Sequence, residues 1–244
     1  MPHSDSRWTA AGVSLQGSRR ANEDRFLVLD GIGPGYGLFL VVDGMGGHLG
    51  GARAAELTVR AVSEHLRQHH PNGDPAGALE NAFRRAEELL AAEARPEFAG
   101  MGAVVLAALY RPPWLHLAYL GDARAYRARG NVCAAVTQDQ TIGFKLLEEG
   151  RLTPEEFRKS PWRHHLIQFL GRSRAAIAHV TLDIQPEDRL LLATDGAWEW
   201  LEDSGIQELL RKAAHPRDLV AAVQSRAGTA VPRDNATVLA VYWG

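Results

Sequence analysis

At 244 residues the chain can bury a sizeable core, as one large domain or two small ones, and its 45% hydrophobic and 23% charged content is that of a globular protein. Its 27 basic and 29 acidic residues leave a net charge of −2, which excludes a general attraction to nucleic acid or to a membrane surface. The one cysteine, Cys133, excludes an internal disulfide and a thiolate zinc centre; between Val132 and Ala134 it reads as a thiol buried in a strand.

Met1–Ala10 lacks the basic-then-apolar pattern of a signal peptide, and apolar runs such as Ala103–Tyr110 are too short to span a bilayer, so a cytoplasmic location is expected. In chain order, β-like runs come first, at Trp8–Ser14, Arg25–Leu29 and Leu38–Val42. Two helical patterns follow. Ala52–His69 carries the stripe Ala54, Leu57, Ala61, Val62 and Leu66, and Pro75–Ala94 carries Ala78, Leu79, Ala82, Phe83, Ala86 and Leu90. Asp74 before Pro75 supplies an N-cap and a favoured first helical residue. Strands resume at Val104–Tyr110, Leu115–Leu120 and Ala125–Ala128. The stretch Thr141–Arg174 is less regular and rich in Arg, Lys and His, an inserted helical segment over the surface. Beyond it come strands at Ala178–Leu182 and Arg189–Ala193, helices at Ser204–Ala214 and Pro216–Ala227, and a last strand at Thr237–Trp243. Strands before, between and after helix pairs imply layered α and β elements, not an alternating parallel sheet.

Aspartate recurs at the strand ends. Leu38–Val42 runs into Asp43-Gly44, Leu190–Thr194 into Asp195-Gly196, and Leu120-Gly121 into Asp122, while Asp234-Asn235 opens the last strand and Glu23-Asp24 precedes Arg25–Leu29. Asp-Gly and Asp-Asn are good turn formers. That account fits poorly at Asp43 and Asp195, because a Gly-rich loop and helix follow the first and the helix-like Ala197–Glu202 follows the second. Acids converging from several strand ends need their repulsion offset, and divalent cations do this. The donors are hard carboxylate oxygens, which favours Mg²⁺ or Mn²⁺ over zinc. His69-His70 and His164-His165 are adjacent pairs whose side chains diverge; they are expected in solvent. Two ions about 3.5–4 Å apart are an arrangement that hydrolyses phosphate esters, and a nearby arginine, Arg19 or Arg20, can grip the phosphate.

At these residues the chain resembles the metal-dependent protein phosphatases of the PPM (type 2C) family, in their bacterial form. Gly17-Ser18-Arg19-Arg20-Ala21-Asn22-Glu23-Asp24 is similar to the family's opening motif, and Asp43-Gly44-Met45-Gly46-Gly47-His48 to its Asp-Gly-Met-Gly-Gly-His box. Gly121-Asp122-Ala123-Arg124, Thr194-Asp195-Gly196 and Asp234-Asn235-Ala236-Thr237 match later motifs, in family order from about Thr9 to Trp243. The resemblance implies an α+β fold, a four-layer α-β-β-α sandwich with two central, mostly antiparallel sheets flanked by helix pairs, as a single catalytic domain over 1–244. It implies that Asp43 bridges two Mn²⁺ or Mg²⁺ ions, that the Gly44 carbonyl joins one of them, and that Asp195 and Asp234 hold one. Glu23 and Asp24 would act through metal-bound waters, and Asp122 would share a third, weaker site with Asp195. Arg19 falls at the phosphate-binding position, with Arg20 turned away as neighbouring strand residues are. The activity so implied is that of a serine/threonine protein phosphatase: a metal-bound hydroxide attacks phosphoserine or phosphothreonine at a binuclear centre, without a phosphoenzyme. Phosphoproteins marked by a partner Ser/Thr kinase would be the substrates, with a monomeric state and no nucleic-acid or membrane partner expected.

Some positions depart from the family pattern. Met45 stands where animal relatives carry a His that protonates the leaving alcohol, with His48 a nearby alternative; Thr137-Gln138-Asp139-Gln140-Thr141 replaces Thr-x-Asp-His-Ser, and Ala103 and Ala123 replace a Thr and a Ser. The segment 141–174 corresponds to the family's variable flap, where Arg151, Arg158, Lys159, Arg163, Arg172 and Arg174 are candidates to guide an acidic phosphopeptide. Of Trp198 and Trp200, one is expected in the core. Two rivals remain. A dinucleotide-binding oxidoreductase fails because Leu49 stands where the last glycine of G-x-G-x-x-G belongs. A non-catalytic module of the same fold would have lost a bridging acid, and here the acids are present.

Overall fold

The structure is a computed structural model that describes residues 8–46, 50–71, 73–93, 95–98, 100–172 and 174–244. The strands β1 (Trp8–Leu15), β2 (Asp24–Asp30) and β3 (Gly37–Met45) lead into helices α1 (Gly50–Gln68) and α2 (Pro75–Ala92). Next come β4 (Gly102–Arg111), β5 (Trp114–Leu120), β6 (Arg124–Arg129) and β7 (Val132–Ala135). The segment 141–174 forms α3 (Ile142–Glu148), α4 (Pro154–Lys159) and a 3-10 turn, Pro161–His164. Then β8 (Ala178–Asp183), β9 (Arg189–Ala193), α5 (Asp195–Lys212), α6 (Pro216–Thr229) and β10 (Ala236–Trp243) complete the described chain.

The strands pair only antiparallel, in two five-stranded sheets. Sheet A runs β1-β10-β9-β6-β7 and sheet B runs β2-β3-β4-β5-β8. Both faces of the central strands are covered, and the two-residue alternation of a strand divides their side chains between two cores. On β3, Leu38, Leu40 and Val42 pack beneath α1 and α2, while Phe39 and Val41 face the other sheet. On β10, Val238, Ala240 and Tyr242 pack beneath α5 and α6, while Leu239, Val241 and Trp243 face inward. The unbroken apolar runs seen in the sequence are therefore strands of a four-layer α-β-β-α sandwich, each buried twice.

Capping chemistry sets the helix ends. Asp74 accepts a hydrogen bond from the Gly77 N–H at 2.9 Å with Pro75 in the first turn, as its sequence implies. The helix-like runs Ala197–Glu202 and Ser204–Ala214 join into α5, interrupted at Glu202, whose φ is 61°. The strand expected around Cys133 is β7. Among the described residues only β6 pairs with it, so it is a sheet edge, and Cys133 is half-buried against the α5 core instead of fully buried as expected. Among the described residues no helix is long and apolar enough to cross a membrane.

Candidate active site

The acidic strand ends meet because of antiparallel pairing. In sheet B the start of β2 lies beside the end of β3, with Asp24 directly opposite Asp43. In sheet A the end of β9 lies beside the start of β10, with the Thr194 N–H bonded to the Thr237 carbonyl at 3.1 Å, which brings Asp195 and Asp234 to the same edge. The sheets stack with these ends together. The Thr194 hydroxyl donates across the interface to Asp24 Oδ2 at 2.8 Å and accepts from the Thr237 N–H at 3.0 Å. Asp122 arrives at the same edge from the end of β5.

The electrostatics register this crowding. Burial, followed by the charges of Asp195, Asp24, Asp122 and Asp234, pushes the Asp43 carboxyl well above the usual range. Burial and the charges of Asp195 and Asp139 do the same to Asp122. Burial and the Asp234 charge raise Asp195, opposed by the Gly196 N–H and by a hydrogen bond shared with Asp43. For Asp24, burial outweighs the hydrogen bonds of Thr237 and Thr194, and with the Asp195 and Asp234 charges moves the carboxyl up to about 7. Among the described residues Asp24 Oδ1 is buried without a hydrogen-bond partner. A polar atom so placed is costly unless something satisfies it.

Arg19 closes one side, its Nη2 2.5 Å from Asp234 Oδ2. Arg19 and Arg20 lie in a turn after β1, not on a strand, so the expected opposition of neighbouring strand side chains does not apply to them. Glu23 reaches the start of α1: its carbonyl accepts from the Gly44 N–H at 3.2 Å, and its carboxylate packs on Gly51. The glycines of the two Asp-Gly pairs serve close approach, not a turn. A methyl group at Gly44 would lie 1.9 Å from the Gly51 carbonyl oxygen, and one at Gly196 would lie 2.1 Å from that of Asn235. Gly44 belongs to β3 and Gly196 to the first turn of α5.

A ring of residues to which the sequence reading gave no role at the site supports this edge. Trp198 donates from Nε1 to the Asp122 carbonyl at 2.9 Å and carries the Arg124 guanidinium 3.5 Å over its ring. Arg124 binds Asp139 through two bonds of 2.8 and 2.7 Å. Gln140, where the family has His, accepts from the Gly121 N–H at 2.8 Å and returns its own N–H to the Gly121 carbonyl at 3.0 Å. Asn235, read as half of a turn-forming pair and as part of the last motif, makes three bonds to the loop that holds Arg19 and Glu23. Such partners are more than a hundred residues apart in the case of Asn235, and no local spacing encodes them. Of the two tryptophans, Trp198 is buried, and Trp200 is half-buried under Arg226.

The segment 141–174 meets the cleft at its 3-10 turn. Arg163 Nη2 lies 2.7 Å, and His164 Nε2 3.4 Å, from Glu199 Oε1, one helical turn beyond Asp195. Of the basic residues there, Arg151 pairs with Glu149, Lys159 with Glu155, Arg163 with Glu199, and Arg172 with the Ile167 carbonyl. Arg158 and Arg174 are exposed. His69, His70, His164 and His165 are exposed as expected, and Met45 is half-buried; His48 lies outside the described residues. An open cavity of about 1490 Å³ lies at the far end of sheet A, lined by Trp8, Arg189, His215 and Tyr242 and by none of the candidate site residues.

The donor set suits a hydrated divalent ion. It consists of carboxylate oxygens, with an unsatisfied Asp24 oxygen and more negative charge than Arg19 offsets. Among the described residues no three acidic, imidazole or thiol groups enclose a common point.

Comparison with known proteins agrees with this chemistry. The chain is 33% identical over 203 residues to the serine/threonine protein phosphatase PstP of Mycobacterium tuberculosis, a match covering 82% of this chain and 38% of that protein. The chain thus spans well under half the length of that relative. Its fold is similar to the crystal structure of Mycobacterium tuberculosis PstP/Ppp, with a TM-score of 0.86 and 30% identity over 97% of this chain and 98% of the other. It is also similar to the catalytic domain of PstP in complex with 2 manganese ions, with a TM-score of 0.83 and 29% identity over 96% and 97% of the two chains. The sequence pattern described as Protein phosphatase 2C matches residues 11–227. On that match, over most of its length, the chain belongs to the protein phosphatase 2C family.

Proposed function

We propose that this chain hydrolyses phosphoserine and phosphothreonine in proteins, with a pair of Mn²⁺ or Mg²⁺ ions held at the carboxylate edge. The observation that carries this reading is the crowding of Asp24, Asp43, Asp122 and Asp195, whose carboxyls are raised by burial and by one another's charge. The manganese seen in the PstP catalytic domain supports the choice of ion. Asp43 would bridge the two ions, the Gly44 carbonyl would join one, and Asp195 and Asp234 would hold one. Glu23 and Asp24 would act through intervening waters, and Asp122 with Asp195 would form a third, weaker site. When bound, such ions offset phosphoryl charge and lower the pKa of a water from about 15.7 toward neutrality.

The remaining roles belong to the chain itself. Arg19 presents a planar fork to two phosphoryl oxygens. It exchanges its contact with Asp234 for the substrate. Cys133 sits on β7, away from the carboxylates, so water and not the thiol is the nucleophile. Met45 has no proton to give, so it cannot take the part of the animal relatives' His. Residues 1–244 act as one catalytic domain and monomer in the cytoplasm, with 141–174 as a flap beside the cleft. The substrates are the targets of a partner Ser/Thr kinase.

The test is turnover of p-nitrophenyl phosphate and of phosphoserine, phosphothreonine and phosphotyrosine peptides during calorimetric Mn²⁺ titration. Turnover of the first two peptides that follows metal occupancy is the expected result. A metal-loaded protein that turns over none of them is a binding module, and the proposal fails.

A further inference from the structure

The loop Gln16–Glu23 carries Arg19 and Glu23 and is also the crossover between the sheets, from β1 of sheet A to β2 of sheet B. Gln16, Ser18, Arg19, Arg20 and Ala21 are exposed, so the loop buries little apolar surface that would fix its path. One distant side chain makes most of the bonds that hold it instead. Asn235, 6% exposed, accepts the Glu23 N–H at 2.9 Å with Oδ1 and donates from Nδ2 to the carbonyls of Gln16 and Ala21, both at 2.8 Å. The carboxamide thus uses both of its donors and its acceptor, and its partners bracket Arg19 in the chain. Asn235 is itself anchored. Its N–H bonds Asp234 Oδ1 at 2.8 Å, and its carbonyl lies against Gly196 at the start of α5. Ser18 adds a second tie to the same segment, from N to the Pro232 carbonyl at 3.0 Å and from Oγ to the Arg233 carbonyl at 2.7 Å.

We propose that Asn235 is a positioning residue that registers the phosphate-gripping loop against the metal-holding aspartates. This rests on the role given above to Arg19. The junction that sends Asp234 and Asp195 into the cleft also sets the height of Arg19 over it, through a single amide. The chemistry demands an amide there. A carboxylate of the same shape would turn an acceptor oxygen in place of Nδ2 toward the carbonyls of Gln16 and Ala21, and a methyl group would leave those two carbonyls and the Glu23 N–H without this partner. Loop and cleft then hold their spacing only while all three bonds stand.

The experiment uses the full chain with Asn235→Ala, Asn235→Asp, Arg19→Ala and the double variant of Arg19→Ala with Asn235→Ala. Both single changes at Asn235 should speed amide hydrogen exchange within Gln16–Asp24 while β9 and β10 keep their protection. Their kcat/KM for p-nitrophenyl phosphate with Mn²⁺ should fall about 10- to 100-fold, the cost of displacing a binding group by roughly 1 Å. The double variant should be within about twofold of Arg19→Ala alone, because a residue that acts through another is not additive with it. Wild-type activity in Asn235→Asp, unchanged exchange in the loop, or penalties that multiply in the double variant would each overturn the proposal. Exchange is read without turnover, so a wild-type protein that hydrolyses nothing sinks the phosphatase reading and still leaves the clamp under test. Should Asn235→Ala fail to fold, the isosteric Asn235→Asp carries the same comparison.

Discussion

Asp43 and Asp195 lie within reach of one another's charge, and each is raised by burial and by neighbouring carboxylates. Changing either to Asn removes an anionic ligand while nearly preserving shape, so Asp43→Asn and Asp195→Asn should nearly abolish turnover and weaken Mn²⁺ binding; full activity in either would refute its assignment. Arg19 is exposed and pairs only with Asp234 among the described residues, so Arg19→Ala should chiefly raise KM, with smaller damage to the Mn²⁺ affinity. Gly44→Ala is a different kind of lesion. The added methyl meets the Gly51 carbonyl at 1.9 Å and must push α1 away from β3, so loss of metal binding should accompany a lower Tm. The helix that follows each Asp-Gly pair already argued against a turn there, but that their glycines serve close packing is something local sequence does not reveal.

At the scale of elements, the strands deliver their acids because antiparallel neighbours present opposite ends at one edge. The 141–174 segment is attached differently. Its α4 is short, with no buried residue, and it is capped by Thr153, so its position depends on contacts such as Arg163 with Glu199. Arg163→Ala should therefore speed tryptic cleavage at Arg158 and Lys159. Global stability should change by no more than about 1 kcal/mol, since a partly exposed ion pair contributes little. Equal cleavage rates in variant and wild type would show that this contact does not hold the segment. Core positions behave otherwise: Leu40→Ala, at a fully buried position of β3, should cost about 2–5 kcal/mol in a denaturant titration.

For the whole molecule the acidic edge makes stability depend on pH. A carboxyl whose folded pKa is raised binds its proton more tightly in the folded state. Its contribution is fully present below the ordinary value of 3.8 and is lost as pH rises through about 7, in the case of Asp24. Asp43, Asp122 and Asp195 act in the same direction. In chelator, Tm should fall as pH is raised from about 5 to about 8, and the rise in Tm on adding Mn²⁺ should be larger at the upper end, because a bound cation stabilises only the folded state. A Tm in chelator that climbs over that range would contradict the crowding of these carboxyls.

The order of strands and helices, the doubly covered apolar runs and the acids at strand ends were legible in the chain itself. Each is a local pattern: side chains alternate along a strand, apolar stripes recur along a helix, and motif residues sit within a few positions of one another. Tertiary structure alone decided the rest. Cys133 looked like a core residue, but β7 proved to be a sheet edge. Arg19 and Arg20 lie in a turn, and Asn235, read as turn chemistry, reaches back to Gln16, Ala21 and Glu23. Those contacts arise only when β1 pairs with β10 and the two sheets stack, bringing chain segments more than 200 residues apart within 3 Å, and no periodicity in a single strand can announce such a meeting.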